Sequence, residues 1–175
     1  MLKVTTTNFD GLLILEPQLL KDERGSFYES WKEADYKAAG IKETFLQDNV
    51  SISKKNVLRG LHYQKNQGQL VTVTHGKIFD VVVDIRSDSK TYKQYFSVEL
   101  SADTPQQLYM PPGFAHGFCT LSDLAIINYK CTQYYSPESE GGIIWNDPEI
   151  NIIWPDHEFI IEQRDKTFQQ FKDIR

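Results

Sequence analysis

Two cysteines are all this sequence contains, Cys119 and Cys131, and they are not spaced as a CxxC pair. That leaves no disulfide framework and no thiolate metal site, and it fits two small buried residues of a reduced, cytoplasmic protein. Long apolar runs are also missing. Nothing approaches the roughly 18 residues of a membrane-spanning helix, so no membrane role is expected. The N-terminal MLKVTTTNFDGLLILEPQ lacks the layout of a cleavable signal. Positive charge is scarce: the net charge is -5, with no stripe of lysine and arginine. Nucleic-acid binding needs such a stripe and is excluded, whereas a phosphorylated small molecule needs only one or two arginines. There is no GxSxG, and neither cysteine sits in an electropositive context, so a covalent nucleophile has no candidate. No repeat, low-complexity stretch or linker interrupts the 175 residues, which read as one domain, 1–175, with a sizeable core.

What the sequence does have is alternation of apolar and polar residues. QLVTV, KIFDVVVDIR, YFSVEL, QLYM and AIINYKCTQYY read as strands, separated by the turn signals THGK, RSDSK, SADTP, PPG and SPESEGG. Many short strands at this spacing predict a mainly β sandwich, jelly roll or barrel. Ser30 to Glu33 fits a capping box and Gly40 a stop, predicting a helix near 31–39. A second short helix is expected near DKTFQQF.

Chemistry concentrates around NVLRGLHYQ. Strict alternation would point Arg59 and His62 to opposite faces, but a bulge at Gly60 would bring both to one side. In KIFDVVVDIR the period of two puts Phe79, Val81, Val83 and Ile85 on one face. Ile78, Asp80, Val82, Asp84 and Arg86 fall on the other, which is either a solvated edge or a polar barrel interior. PPGFAHGF has the spacing of the second motif of cupins, but His62 is the only histidine in the matching first segment. His75 falls in a turn and His157 in the C-terminal region. One imidazole per strand with no convergent carboxylates makes a poor metal site, and no metal is expected.

Taken together, DERGSFYESW, FLQDNVSISKKNVLRGLHYQ, DVVVDIRSDSKTY, MPPGFAHGFCTLSD and WNDPEINIIWP resemble the dTDP-4-dehydrorhamnose 3,5-epimerase family, in order and spacing, from about residue 10 to 170. The resemblance implies a cupin-like jelly roll (a double-stranded β-helix) that needs no cofactor. It also implies a homodimer with sites near the subunit interface, acting on a nucleotide-linked 4-keto-6-deoxyhexose. Epimerisation beside a ketone needs a base on one side of the ring and an acid on the other. By the resemblance His62 is the base, Asp165 its carboxylate partner and Tyr129 the acid, with Tyr134 the alternative acid. Tyr129 also reads as a packed strand aromatic, sharing a face with Ala125, Ile127 and Cys131. The same comparison pairs His116 with Asp84 near the sugar and gives the diphosphate to Arg59 and Arg24. Gln47, Asn49 and Glu29 would line the sugar and nucleoside site and Tyr135 would stack on the base. Arg24 and Glu29 would reach across to the neighbour's site.

The sequence departs from the family's pattern at four places. Gln69 stands where a lysine usually holds the enolate oxygen, Leu20 where a phenylalanine is common, Glu162 for a serine and Arg164 for a lysine. A neutral amide at 69 still donates a hydrogen bond but brings no charge, so weaker enolate stabilisation is expected. Inversion at C3 alone, another nucleotide, a 3,4-ketoisomerase and a non-catalytic sugar-nucleotide binder remain alternatives to inversion at C3 and C5.

Overall fold

The structure, a computed structural model, describes residues 2–155 and 158–174, which leaves His157 outside the described residues. Among the described residues fourteen strands follow in chain order: β1 (Lys3–Thr6), β2 (Leu13–Glu16), β3 (Leu20–Asp22), β4 (Gly25–Phe27), β5 (Gln47–Lys54), β6 (Val57–Gln64), β7 (Gln69–His75) and β8 (Lys77–Asp84). The chain continues through β9 (Tyr95–Ser101), β10 (Gln107–Met110), β11 (Phe114–Thr120), β12 (Leu124–Cys131), β13 (Glu140–Gly142) and β14 (Ile160–Ile161). One sheet has the order β1-β2-β10-β7-β12-β5 and the other β13-β6-β11-β8-β9, with β14 added to β6 and β3–β4 a separate hairpin. Pairings are antiparallel apart from β14 on β6. The two sheets face each other as a jelly roll, as the alternation predicted.

The alternation explains how the layers hold. In β8, Ile78 and Val82 enter the core between the sheets, with Val71, Val73, Leu108 and Ile127. Val81 and Val83 enter a second core on the outer side, with Leu61, Ile143, Ile150 and Phe171 from the C-terminal segment. A strand buried on both faces accounts for the unbroken VVV, each side chain contributing about 1.5–3 kcal/mol by leaving water. Of the two readings open for this strand, the solvated edge is therefore the wrong one. The other sheet is covered by a third cluster in which Tyr36 and Ile41 pack on Leu15, Leu70 and Tyr109.

Tyr36 belongs to α1 (Glu33–Ala38), shorter than the expected 31–39. The capping box does not form. Lys32 is the N-cap and no side chain caps the helix. Ser30 instead gives its carbonyl to the Tyr36 hydroxyl and the Gln107 amide, 3.0 and 2.9 Å away. The stop is as expected: Gly40 has φ +100, and Gly40 and Ile41 donate to Lys37 and Tyr36 in a Schellman closure. The helix expected near DKTFQQF does not form through it: α2 (Gln163–Lys166) ends at Lys166, Gln169 is drawn into a bridge with Ile143, and only a 3-10 turn over Phe171–Asp173 follows.

At the end of β8, Asp84 is fully buried and accepts from Arg86, Ser89 and Thr91. Burial alone would raise its pKa, but these donors outweigh it and hold the carboxyl at about 2. Its folded value lies below the ordinary carboxylate value near 3.9, so its stabilisation is complete above that pH and lost as pH falls towards 2. Asp84→Asn should cost about 2–4 kcal/mol at neutral pH, read by urea unfolding, with a smaller penalty as pH falls below about 4.

Candidate active site

Between the two sheets opens a cavity of about 940 Å³, at the upper end for a small-molecule site. His62 and His116 enter it from β6 and β11, where they are register partners. From the opposing sheet come Tyr129 of β12, Gln69 of β7 and Asn49 of β5. A ligand in the cavity would lie with an imidazole on one side and a phenol on the other.

The bulge expected at Gly60 is present. The register between β6 and β11 shifts, with two residues, Gly60 and Leu61, set against one, Gly117. Arg59 and His62 both line the cavity as a result. Only glycine fits at 60: φ is +128, and an added Cβ would lie 2.6 Å from the Gly117 Cα. Gly60→Ala should therefore lower stability by about 2–5 kcal/mol in chemical denaturation, through backbone strain and overlap together.

Asp165 is nearly inaccessible and serves both features of this bulge. Its Oδ2 accepts the Gly60 N–H at 3.0 Å and its Oδ1 lies 2.8 Å from His62 Nε2. A carboxylate only accepts, so His62 carries its proton on Nε2. In the neutral ring Nδ1 holds the lone pair, and it has no hydrogen bond among the described residues. Burial would raise the Asp165 pKa, yet His62, the Gly60 N–H and, more weakly, Arg164 bring it below the usual carboxylate range. The anion is kept where the imidazole needs it.

His116 forms a second such pair, with Asp80 at 3.0 Å rather than with Asp84. The expected His116–Asp84 pair is thus a misassignment: Asp84 is held by Arg86, Ser89 and Thr91 and does not line the cavity. Arg59 places Nε on Ser53 Oγ at 3.1 Å, and its two Nη groups have no protein partner among the described residues. Two relays of amides end in the cavity. The Tyr135 N–H fixes Gln47 Oε1, and Gln47 donates to Asn49, whose amide reaches Cys131 Sγ. Likewise Gln67 donates to the Gln133 carbonyl, and Gln69 Nε2 donates to Gln67 at 3.1 Å. Gln69 Oε1 is left buried without a partner among the described residues.

Tyr129 is half-buried, and burial raises its pKa. It packs against Ile127 and the core, so the aromatic packing and the place in the cavity coexist. Tyr134 is 67% exposed and outside the cavity lining. Burial pushes the Cys119 and Cys131 thiols up to about 12 and about 11, away from nucleophilic character. No group of three metal-ligating side chains occurs among the described residues.

The cavity thus gathers His62, Asp165, Tyr129, Gln47, Asn49, Arg59, Gln69, His116 and Tyr135. It does not gather Arg24, Glu29 or Asp84. Arg24 is exposed and paired with Asp22, and Glu29 lies beside Lys32. Sequence reasoning missed Ser53, Gln67 and Glu140, of which Ser53 was accessible by the period of two from Asn49 through Ser51.

The sequence profile of the dTDP-4-dehydrorhamnose 3,5-epimerases matches residues 6–173. An enzyme of that name from Methanothermobacter thermautotrophicus is 46% identical over 172 residues, covering 95% of this chain and 93% of its own. Another from Salmonella typhimurium is 53% identical over 159 residues, 89% of this chain and 87% of that protein. Among solved structures, the dTDP-6-deoxy-D-glucose-3,5-epimerase of Legionella pneumophila in complex with dTDP-4-keto-L-rhamnose superimposes with a TM-score of 0.96. It is 45% identical, and the match covers all of this chain and 95% of that one.

Proposed function

This chain belongs to the dTDP-4-dehydrorhamnose 3,5-epimerase family, and from that premise we propose that it epimerises a dTDP-linked 4-keto-6-deoxyhexose at C3 and C5. The observation that carries the reading is the His62–Asp165 pair, 2.8 Å apart, facing a phenol from the opposing sheet across one cavity. His62 Nδ1 takes the proton from the carbon beside the ketone, and Asp165 stabilises the imidazolium that forms. Tyr129 delivers a proton to the opposite face of the enolate. Burial raises its pKa, so it stays protonated and ready to donate at neutral pH.

Arg59, with both Nη groups open, takes the diphosphate, and Tyr135 stacks on the base. Asn49 supplies a hydrogen-bond donor to the sugar. His116, fixed by Asp80, lies beside His62 in register. Incubation followed by borohydride reduction tests the reading. A rhamno-configured dTDP sugar in the product NMR spectrum supports it; recovery of gluco and galacto products alone contradicts it.

The protein acts as a homodimer in the cytoplasm. Leu20 and Phe27 on the β3–β4 hairpin are exposed, and so are Val50 and Ile52 on the edge strand β5. Exposed apolar side chains on a hairpin and an edge strand suit a partner subunit, and Arg24 and Glu29, which do not line their own chain's cavity, would enter the neighbour's. Co-expressed Arg24→Ala and His62→Asn chains should then recover about a quarter of wild-type activity, because a mixed dimer of two-fold symmetry rebuilds one complete site. No recovery would place Arg24 with its own chain's His62.

A further inference from the structure

Arg164 stands beside the His62–Asp165 pair without belonging to it. Its Nε lies 3.8 Å from Asp165 Oδ1, the oxygen that His62 uses. Its Nη1 and Nη2 instead bond Glu140 Oε2 and Oε1, at 2.9 and 3.2 Å. The guanidinium also lies over the Phe168 ring, 5.7 Å from its centre, and Phe168 meets the His62 ring edge-on at 5.6 Å. Gly142 makes room for this stack, since a Cβ there would fall 2.4 Å from Phe168. On its other side Glu140 accepts the Tyr135 hydroxyl at 2.9 Å.

A guanidinium fork matches a carboxylate better than an imidazole does. Released from Glu140, Arg164 needs to move only about an ångström to bond Asp165 Oδ1 and compete with His62 for it. We infer that Glu140 is the counterion that holds Arg164 off the His62–Asp165 pair, and that the two are positioning residues that set the proton affinity of His62. The inference rests on the proposed reading of His62 as the base, and it deepens that reading.

Among the described residues, the other charged and titratable groups lining this cavity are Arg59 and Tyr63 on β6, His116 on β11 with its partner Asp80 on β8, Tyr129 and Cys131 on β12, Tyr135 before β13, and Glu162 before α2. None of them bonds both Arg164 and the cavity wall as Glu140 does. Two opposite effects follow. Removing Arg164 takes a cation away from the imidazolium and favours it. Removing the Glu140 charge frees Arg164 to occupy Asp165 and disfavours it.

The test is the pH midpoint of the His62 ring ¹⁵N chemical shifts in the ligand-free protein. Arg164→Gln should move it up and Glu140→Gln should move it down, each by about half a unit or more. Arg164→Lys, which keeps the charge, should stay closer to wild type than Arg164→Gln. The double variant should match Arg164→Gln alone, since Glu140 acts through Arg164. Thermal midpoints check that each variant folds, and both side chains are partly exposed, which favours folding. Shifts of the same sign, or an equal Glu140→Gln effect with Arg164 absent, would overturn the inference. Opposed shifts in a protein that exchanges no sugar proton would keep it and remove the assignment of His62 as base.

Discussion

His62→Asn should reduce proton exchange at the sugar by about 10²–10⁴-fold, the usual worth of a positioned general base. Affinity for dTDP should change little, because Arg59, Tyr135 and the Gln47–Asn49 relay are untouched. Asparagine keeps a donor for Asp165 and so preserves the bulge that Asp165 holds through the Gly60 N–H. Isothermal titration with dTDP, set beside the exchange rate, separates the two effects. Affinity falling together with exchange would mean that His62 binds rather than reacts. Loss of exchange with binding kept also excludes a non-catalytic sugar-nucleotide binder.

The second large effect is expected at Tyr129. Without the phenol, the enolate can still form at His62 and be reprotonated from the same side. Tyr129→Phe should therefore cut inversion by about 10²-fold or more while retaining a substantial part of the wild-type exchange. The hydroxyl has no hydrogen bond among the described residues, and the ring keeps its packing against the core, so stability should hardly change. Exchange and inversion lost in equal proportion would show that Tyr129 serves the first step as well. Inversion undiminished would move the acid elsewhere.

The sequence made the sheets largely legible because strands follow the period of two. QLYM is β10 residue for residue, and the two faces assigned within KIFDVVVDIR are the two cores that β8 joins. The error over His116 has a geometric origin. His116 sits opposite Val82, so Asp80 and Asp84 are its two diagonal neighbours on one face, and sequence cannot choose between them. Asp84 lies at the strand end, where Arg86, Ser89 and Thr91 from the following turn claim it. The false capping box fails for a similar reason, since the Ser30 carbonyl is drawn to Gln107, 77 residues away.

Long-range pairs show the same limit. His62 and Asp165 are 103 residues apart, and only the family resemblance joined them. Gln69 was expected to offer an amide donor in place of the lysine. Its Nε2 is turned to Gln67, because Gln67 must itself donate to the Gln133 carbonyl. A chain of three amides decides that orientation, and no single position carries it.

The most direct test of the account is deuterium uptake. Wild-type protein is incubated with dTDP-4-keto-6-deoxyglucose in heavy water, and the sugar is followed by proton NMR and mass. Loss of the C3 and C5 proton signals, with two deuterons gained and inverted configuration at both carbons, is the predicted result. Exchange at C3 alone would correct the account to a 3-epimerase. Migration of the carbonyl would indicate a ketoisomerase. A sugar that binds in the cavity and gains no deuterium would contradict the assignment of His62 and Tyr129 altogether.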